Sequence, residues 1–114
     1  MIERRASLEV TEELVRAYSR RGNFHSDAET AAELGLPGLV AQGVQVAGPA
    51  YDILLAEWGD DFLERGELDL RFVGMVLAGD TIDARVEIAD DHTATIEVTN
   101  TTAGRTAVVG SARV

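Results

Sequence analysis

After Gly66 the apolar pattern changes period, and this change limits the folds open to the chain more than any other feature. Before it, residues 43–58 carry Val44, Val46, Ala47, Ala50, Tyr51, Ile53, Leu54, Leu55 and Trp58. So little polar surface remains that the pattern predicts a helix buried on most sides. After it, Leu68, Leu70 and Phe72 alternate with Asp69 and Arg71. The same alternation sets Ile82, Ala84, Val86 and Ile88 against Asp83, Arg85 and Glu87, and Ala94, Ile96 and Val98 against Thr95, Glu97 and Thr99. Period 2 marks half-buried strands. Turns are expected at Asp90-Asp91-His92 and from Asn100 to Gly104, with a last strand from Thr106 to Val114. One buried helix and about four sequential antiparallel strands satisfy burial if the sheet curls around the helix. The expectation is a two-layer α+β domain over residues 1–114, with a helical first part, an antiparallel meander after it, and a short strand near Ala6–Val10 raising the sheet to about five strands.

Local signals place the smaller elements. Thr11 is a good N-cap for a helix from Glu12 to about Arg20, and Ser26-Asp27-Ala28-Glu29 has the form of a capping box opening a short helix that stops at Gly35. Pro49 conflicts with a helix running unbroken from Gly43, because it removes one backbone bond and crowds the Gln45 carbonyl. Either a kink there or a start near Gly48 is expected. Tyr51 and Trp58 read as core packing, Asp27 as a structural first-turn carboxylate, and Gly79-Asp80 as a strand-entry turn without a catalytic role. His92 reads as an exposed hairpin tip.

At 114 residues the chain is long enough for one hydrophobic core, and no repeat or linker divides it. No apolar run reaches membrane-spanning length and Met1-Ile2-Glu3-Arg4-Arg5 lacks a signal region, so a cytoplasmic protein is expected. Cysteine is absent, which removes disulfides and thiolate chemistry. With only two histidines, a metal site would have to lean on carboxylates, and none is expected. The net charge of −10 disfavours nucleic acid and anionic membranes as partners. Residues 1–21 nevertheless hold five arginines and four acids. Arg20 and Arg21 belong to this group, which either solvates a helix face or grips a phosphate-bearing ligand. The open edges of a five-stranded sheet must be covered or paired, which predicts at least a homodimer.

Chemistry concentrates between Asn23 and Gln45. His25 lies just before the short helix, where it either moves a proton or only satisfies loop backbone groups, and Gly43 opens the apolar one. An imidazole moves a proton at neutral pH, and unpaired N–H groups at a helix start hold a developing oxyanion. Gln42 and Gln45 either bind a polar substrate group there or cap exposed backbone.

His25-Ser26-Asp27, Leu36-Pro37-Gly38-Leu39-Val40-Ala41-Gln42-Gly43 and Val76-Leu77-Ala78-Gly79-Asp80-Thr81 together resemble the MaoC-like acyl dehydratases of the hotdog superfamily. The resemblance spans most of the chain. It implies a hotdog fold in which the sheet wraps the helix of residues 43–58. It also implies (R)-specific hydration of 2-enoyl thioesters, or the reverse dehydration, on coenzyme A or an acyl carrier protein, with no further cofactor. By position, His25 matches the family's catalytic histidine and Gly43 the glycine whose N–H polarises the thioester carbonyl. The family's aspartate has no counterpart: Arg20 stands five residues before His25, and the nearest equivalent is Asn23, which orients water but cannot take its proton. Gln42 stands where the family often has histidine. These differences leave two alternatives to the hydro-lyase reading. One is changed chemistry on the same fold, as thioesterase, isomerase or cyclase. The other is an inactive subunit supporting a second hotdog chain in a heteromer.

Overall fold

The computed structural model describes residues 1–17 and 28–114. In chain order the elements are β1 (Ile2–Glu9), α1 (Glu12–Ala17), α2 (Ala28–Glu33), α3 (Gly43–Trp58), α4 (Asp60–Arg65), β2 (Glu67–Phe72), β3 (Thr81–Ile88), β4 (Thr93–Asn100) and β5 (Arg105–Arg113). The strands form one antiparallel sheet in the order β1-β3-β4-β5-β2. Helix α3 packs across β1, β3, β4 and β5, so the structure is the α+β arrangement of a sheet around a central helix.

Alternation decides which face of each strand meets α3. Ile82, Ala84, Val86 and Ile88 of β3 and Ala94, Ile96 and Val98 of β4 are buried, while the polar residues between them are not. Leu54 and Val46 of α3 close the core against them. On β5 the period breaks. The β4–β5 register shifts between Val98 and Thr99, and both Ala107 and Val108 are fully buried. The bulge turns two consecutive side chains inward.

The caps follow local chemistry. Leu14 N–H donates to Thr11 Oγ1 at 3.1 Å, as expected of an N-cap. Beyond α2, Gly35 takes φ +76°, the left-handed conformation glycine adopts without a Cβ penalty. The helical start read at Ser26-Asp27, like the end of the first helix near Arg20, lies outside the described residues.

Three expectations are corrected and one open alternative is resolved. The sheet is a meander only through β3, β4 and β5. Strand β2 pairs with β5 at the far edge, because residues 73–80 do not close a hairpin: Val73 and Gly74 donate to Ala107 O, and Ala78 donates to Leu39 O. Leu68, Leu70 and Phe72 were expected to be half-buried, yet as part of an edge strand Leu68 and Phe72 are exposed. Helix α3 begins at Gly43 with Pro49 inside it, which removes the alternative of a start near Gly48. Its burial is also less complete than expected, since Val44 and Tyr51 are exposed. Tyr51 still stacks edge-on against Phe62, with ring centroids 5.3 Å apart. Phe62 belongs to α4, a six-residue helix too short to leave a readable period.

Candidate active site

The first turn of α3 supplies the site's polar groups. Gln42 is extended and its side chain makes no cap bond. Its carbonyl accepts from Gln45 N–H at 3.0 Å and Val46 N–H at 3.1 Å. The N–H groups of Gly43 and Val44 therefore have no backbone acceptor among the described residues, as the geometry of a helix start dictates. They sit at the positive end of a 16-residue helix.

Beside them lies a cavity of about 530 Å³. Val40, Ala41, Gly43 and Val46 form one side and residues 72–76 the other. No charged side chain lines it, so charge developing on a bound carbonyl would meet backbone dipoles in an apolar setting. A larger depression of about 730 Å³ lies over β2, β4 and β5, lined by Glu67 and Arg113 among others. It has no helix start in its lining, and the chemistry favours the smaller cavity.

Two short backbone ties hold the cavity's walls together. Ala41 N–H donates to Val76 O at 2.8 Å and Ala78 N–H to Leu39 O at 2.9 Å, forming an antiparallel bridge at Val40 and Leu77. On the other wall the carbonyl of Ala107, at the β5 bulge, receives Val73 N–H and Gly74 N–H. A Cβ on Gly74 would stand 2.4 Å from Thr106 O. Glycine is required there by close backbone approach.

Gln45 is only 8% exposed. Its Nε2 donates to Leu14 O at 2.6 Å, and its Oε1 is buried without a hydrogen-bond partner. An orphaned acceptor costs on the order of 1–3 kcal/mol unless a donor arrives. Of the two roles expected for Gln45, its Nε2 takes the backbone one: it joins α3 to the Leu14 carbonyl of α1, while its Oε1 has no hydrogen-bond partner.

Of the residues expected to act, Gln42, Gly43 and Gln45 share this single turn. His25, Asn23, Arg20 and Arg21 lie outside the described residues. His92 is exposed at the β3–β4 turn, as expected, and Asp52 is exposed on α3. Phe72 and the 73–76 wall had no assigned role in the sequence reading. The glycine at position 74, just past an alternating run, is the one signal that pointed to a close backbone approach there.

Comparison with protein families places the chain as a whole. The family described as MaoC like domain matches residues 2–109. The chain belongs to the MaoC-like domain family. No curated protein matches it. Among solved structures, this MaoC-like chain is similar to an (R)-hydratase from A. caviae involved in PHA biosynthesis, with 23% identity, a TM-score of 0.75 and coverage of 97% of this chain and 91% of that one. It is similar also to a MaoC-like dehydratase from Phytophthora capsici, with 18% identity and a TM-score of 0.81, where 96% of this chain matches 39% of the other. A third is the C-terminally truncated HadBC (3R-hydroxyacyl-ACP dehydratase) complex of Mycobacterium tuberculosis, with 26% identity, a TM-score of 0.68 and coverage of 97% and 92%. These likenesses agree with the hotdog fold. Among the described residues no helix is long and apolar enough to cross a membrane.

Proposed function

We propose that this MaoC-like protein is a hydro-lyase that interconverts a 2-enoyl thioester with the 3-hydroxyacyl thioester, the acyl group being carried on coenzyme A or an acyl carrier protein. The observation that carries the reading is the pair of N–H groups at Gly43 and Val44 without a backbone acceptor among the described residues, at a helix start whose Gly43 lines an uncharged cavity, in a chain that belongs to a dehydratase-type family.

In the hydration direction the thioester oxygen takes a hydrogen bond from Gly43 N–H, which strengthens as negative charge moves onto that oxygen. Asn23 orients a water molecule. His25 Nε2 or Nδ1 accepts one proton from it as the oxygen bonds to the β-carbon, and the electron pair of the double bond passes into the enolate. His25 then returns that proton to the α-carbon. Gln42 and Gln45, at the start of the same helix, are the groups assigned to a polar part of the substrate. The chemistry is proton transfer coupled to C–O bond formation at the β-carbon, and the proposal calls for no metal or resident cofactor. Arg20 and Arg21 serve the phosphates of the carrier arm.

The protein works in the cytoplasm as one domain over residues 1–114. It forms at least a homodimer, which would cover the open edges of β1 and β2. One observation favours a second reading, an inactive subunit paired with a second hotdog chain: Arg20 and Asn23 stand where the family carries its aspartate, and a structural relative is described as a complex. Mixing the purified protein with crotonyl-CoA and following loss of the enone absorbance separates the two, since only the hydro-lyase turns it over alone.

A further inference from the structure

We propose that Asp80 and Asn100, outside the cavity, are positioning residues that set where the Gly43 N–H points; the inference rests on the role given to Gly43 above. Asn100 is fully buried at the end of β4, and a buried amide persists there only if its hydrogen-bonding capacity is used. Its Oδ1 accepts Ala103 N–H at 3.0 Å. Its Nδ2 donates to Asp80 Oδ2 at 2.8 Å, with a longer approach of 3.4 Å to Met75 O. Asp80 Oδ2 also accepts Leu77 N–H at 2.9 Å. One carboxylate oxygen thus ties the β4–β5 turn to the backbone of residue 77.

Residue 77 is half of the bridge to Val40. On either side of it, Val76 O and Ala78 N–H hold Ala41 N–H and Leu39 O. Ala41 is separated from Gly43 only by the extended Gln42. A continuous path therefore runs from Asn100 through Asp80, Leu77 and Ala41 to the helix start, and each link is a hydrogen bond or a peptide unit. Losing the Asp80 acceptor frees Leu77 N–H and lets the 75–78 wall shift. The 39–41 segment moves with it, and the amide at 43 turns away from the bound carbonyl. A misplacement of this kind acts on the charged transition state more than on ground-state binding.

The role needs an acceptor oxygen at Asp80, not a charge or a proton, so Asp80→Asn and Asp80→Ala separate the possibilities. In crotonyl-CoA hydration, Asp80→Ala is expected to lower kcat by about 10- to 100-fold with KM changed by less than about threefold. Asp80→Asn, whose amide oxygen accepts the same two bonds, is expected to stay within about threefold of wild type in both. In ¹⁵N–¹H spectra of the free proteins, the Gly43 and Val44 amide signals are expected to move in Asp80→Ala and to keep their places in Asp80→Asn. If Asp80→Ala does not fold, Asp80→Leu enters the same comparison, and failure of both to fold while Asp80→Asn folds would mean a purely structural residue and overturn the proposal. Unmoved Gly43 and Val44 signals in the folded variant, or equal impairment by Asn and Ala, would overturn it as well. Absence of turnover by the wild-type protein counts against the hydro-lyase reading instead, and the amide spectra then decide this inference alone.

Discussion

The ring of Phe72 occupies the space that a side chain on Gly43 would need: a Cβ built there would lie 2.9 Å from Phe72 Cε1. Phe72 is 54% exposed, so its ring has solvent to swing into. Gly43→Ala should therefore fold, with stability within about 1 kcal/mol of wild type, as removing a glycine from a helix partly offsets the displaced ring. Activity should respond differently. The added methyl stands beside the donor N–H, and kcat for crotonyl-CoA should fall by about 100-fold, near the effect of losing one oxyanion donor. Thermal denaturation and steady-state kinetics on one preparation check both halves.

Gln45 separates stability from function in the same way. Gln45→Met gives up the bond to Leu14 O, worth about 0.5–1.5 kcal/mol, and also removes the orphaned Oε1, whose burial costs a similar amount. Urea denaturation should show a change below about 1 kcal/mol. If Oε1 holds the water or the product hydroxyl, hydration should slow by about tenfold.

The β3–β4 turn predicts an acid response. Asp90 Oδ1 accepts His92 N–H at 2.7 Å, Thr93 N–H at 2.8 Å and the Thr93 hydroxyl at 3.1 Å. These bonds, that from His92 N–H foremost, hold its carboxyl below the usual carboxylate range. A carboxyl depressed in the folded state stabilises it above the unfolded carboxyl's pKa, and that contribution is lost as pH falls through the lower folded value. As pH drops below the usual carboxylate range, melting temperature should fall more for wild type than for Asp90→Asn, and Asp90→Asn should already melt lower at pH 7. Parallel acid profiles would contradict the assignment.

Carrier recognition gives a charge test. The protein is strongly acidic overall, while residues 1–21 have a slight basic excess. An acidic carrier would dock through the arginines there. The double charge reversal Arg20→Glu, Arg21→Glu should raise KM for a carrier-bound enoyl substrate several-fold, with kcat nearly kept. An unchanged KM would remove these residues from docking.

The helix over 43–58 and the β3–β4 pairing were legible because each depends on a period sustained for eight residues or more. The place of β2 was not. Its alternation marks a strand, but which neighbour it takes is decided by residues 73–80, whose backbone bonds go to Ala107 and to Leu39. Nothing in local propensity encodes a partner more than thirty residues away. At the site, Gly43 could be read from the helix boundary and Gln45 from its place in the first turn. Phe72 could not, since its alternation with Asp69 and Arg71 reads as a core-facing strand residue, whereas it stands exposed on an edge strand. Asp80 reads locally as a turn former. Its tie to Asn100 exists only once β4 has folded beside the 75–80 segment. His25, the proposed acid–base group, lies outside the described residues.

Hydration of crotonyl-CoA by the purified protein, followed as loss of enone absorbance beside a His25→Ala control, tests the central claim most directly. The account predicts turnover by the wild-type chain and a fall of at least about 100-fold in the control, the scale of a positioned acid–base group. No turnover across short, medium and long enoyl chains, or turnover that His25→Ala leaves unchanged, would contradict it.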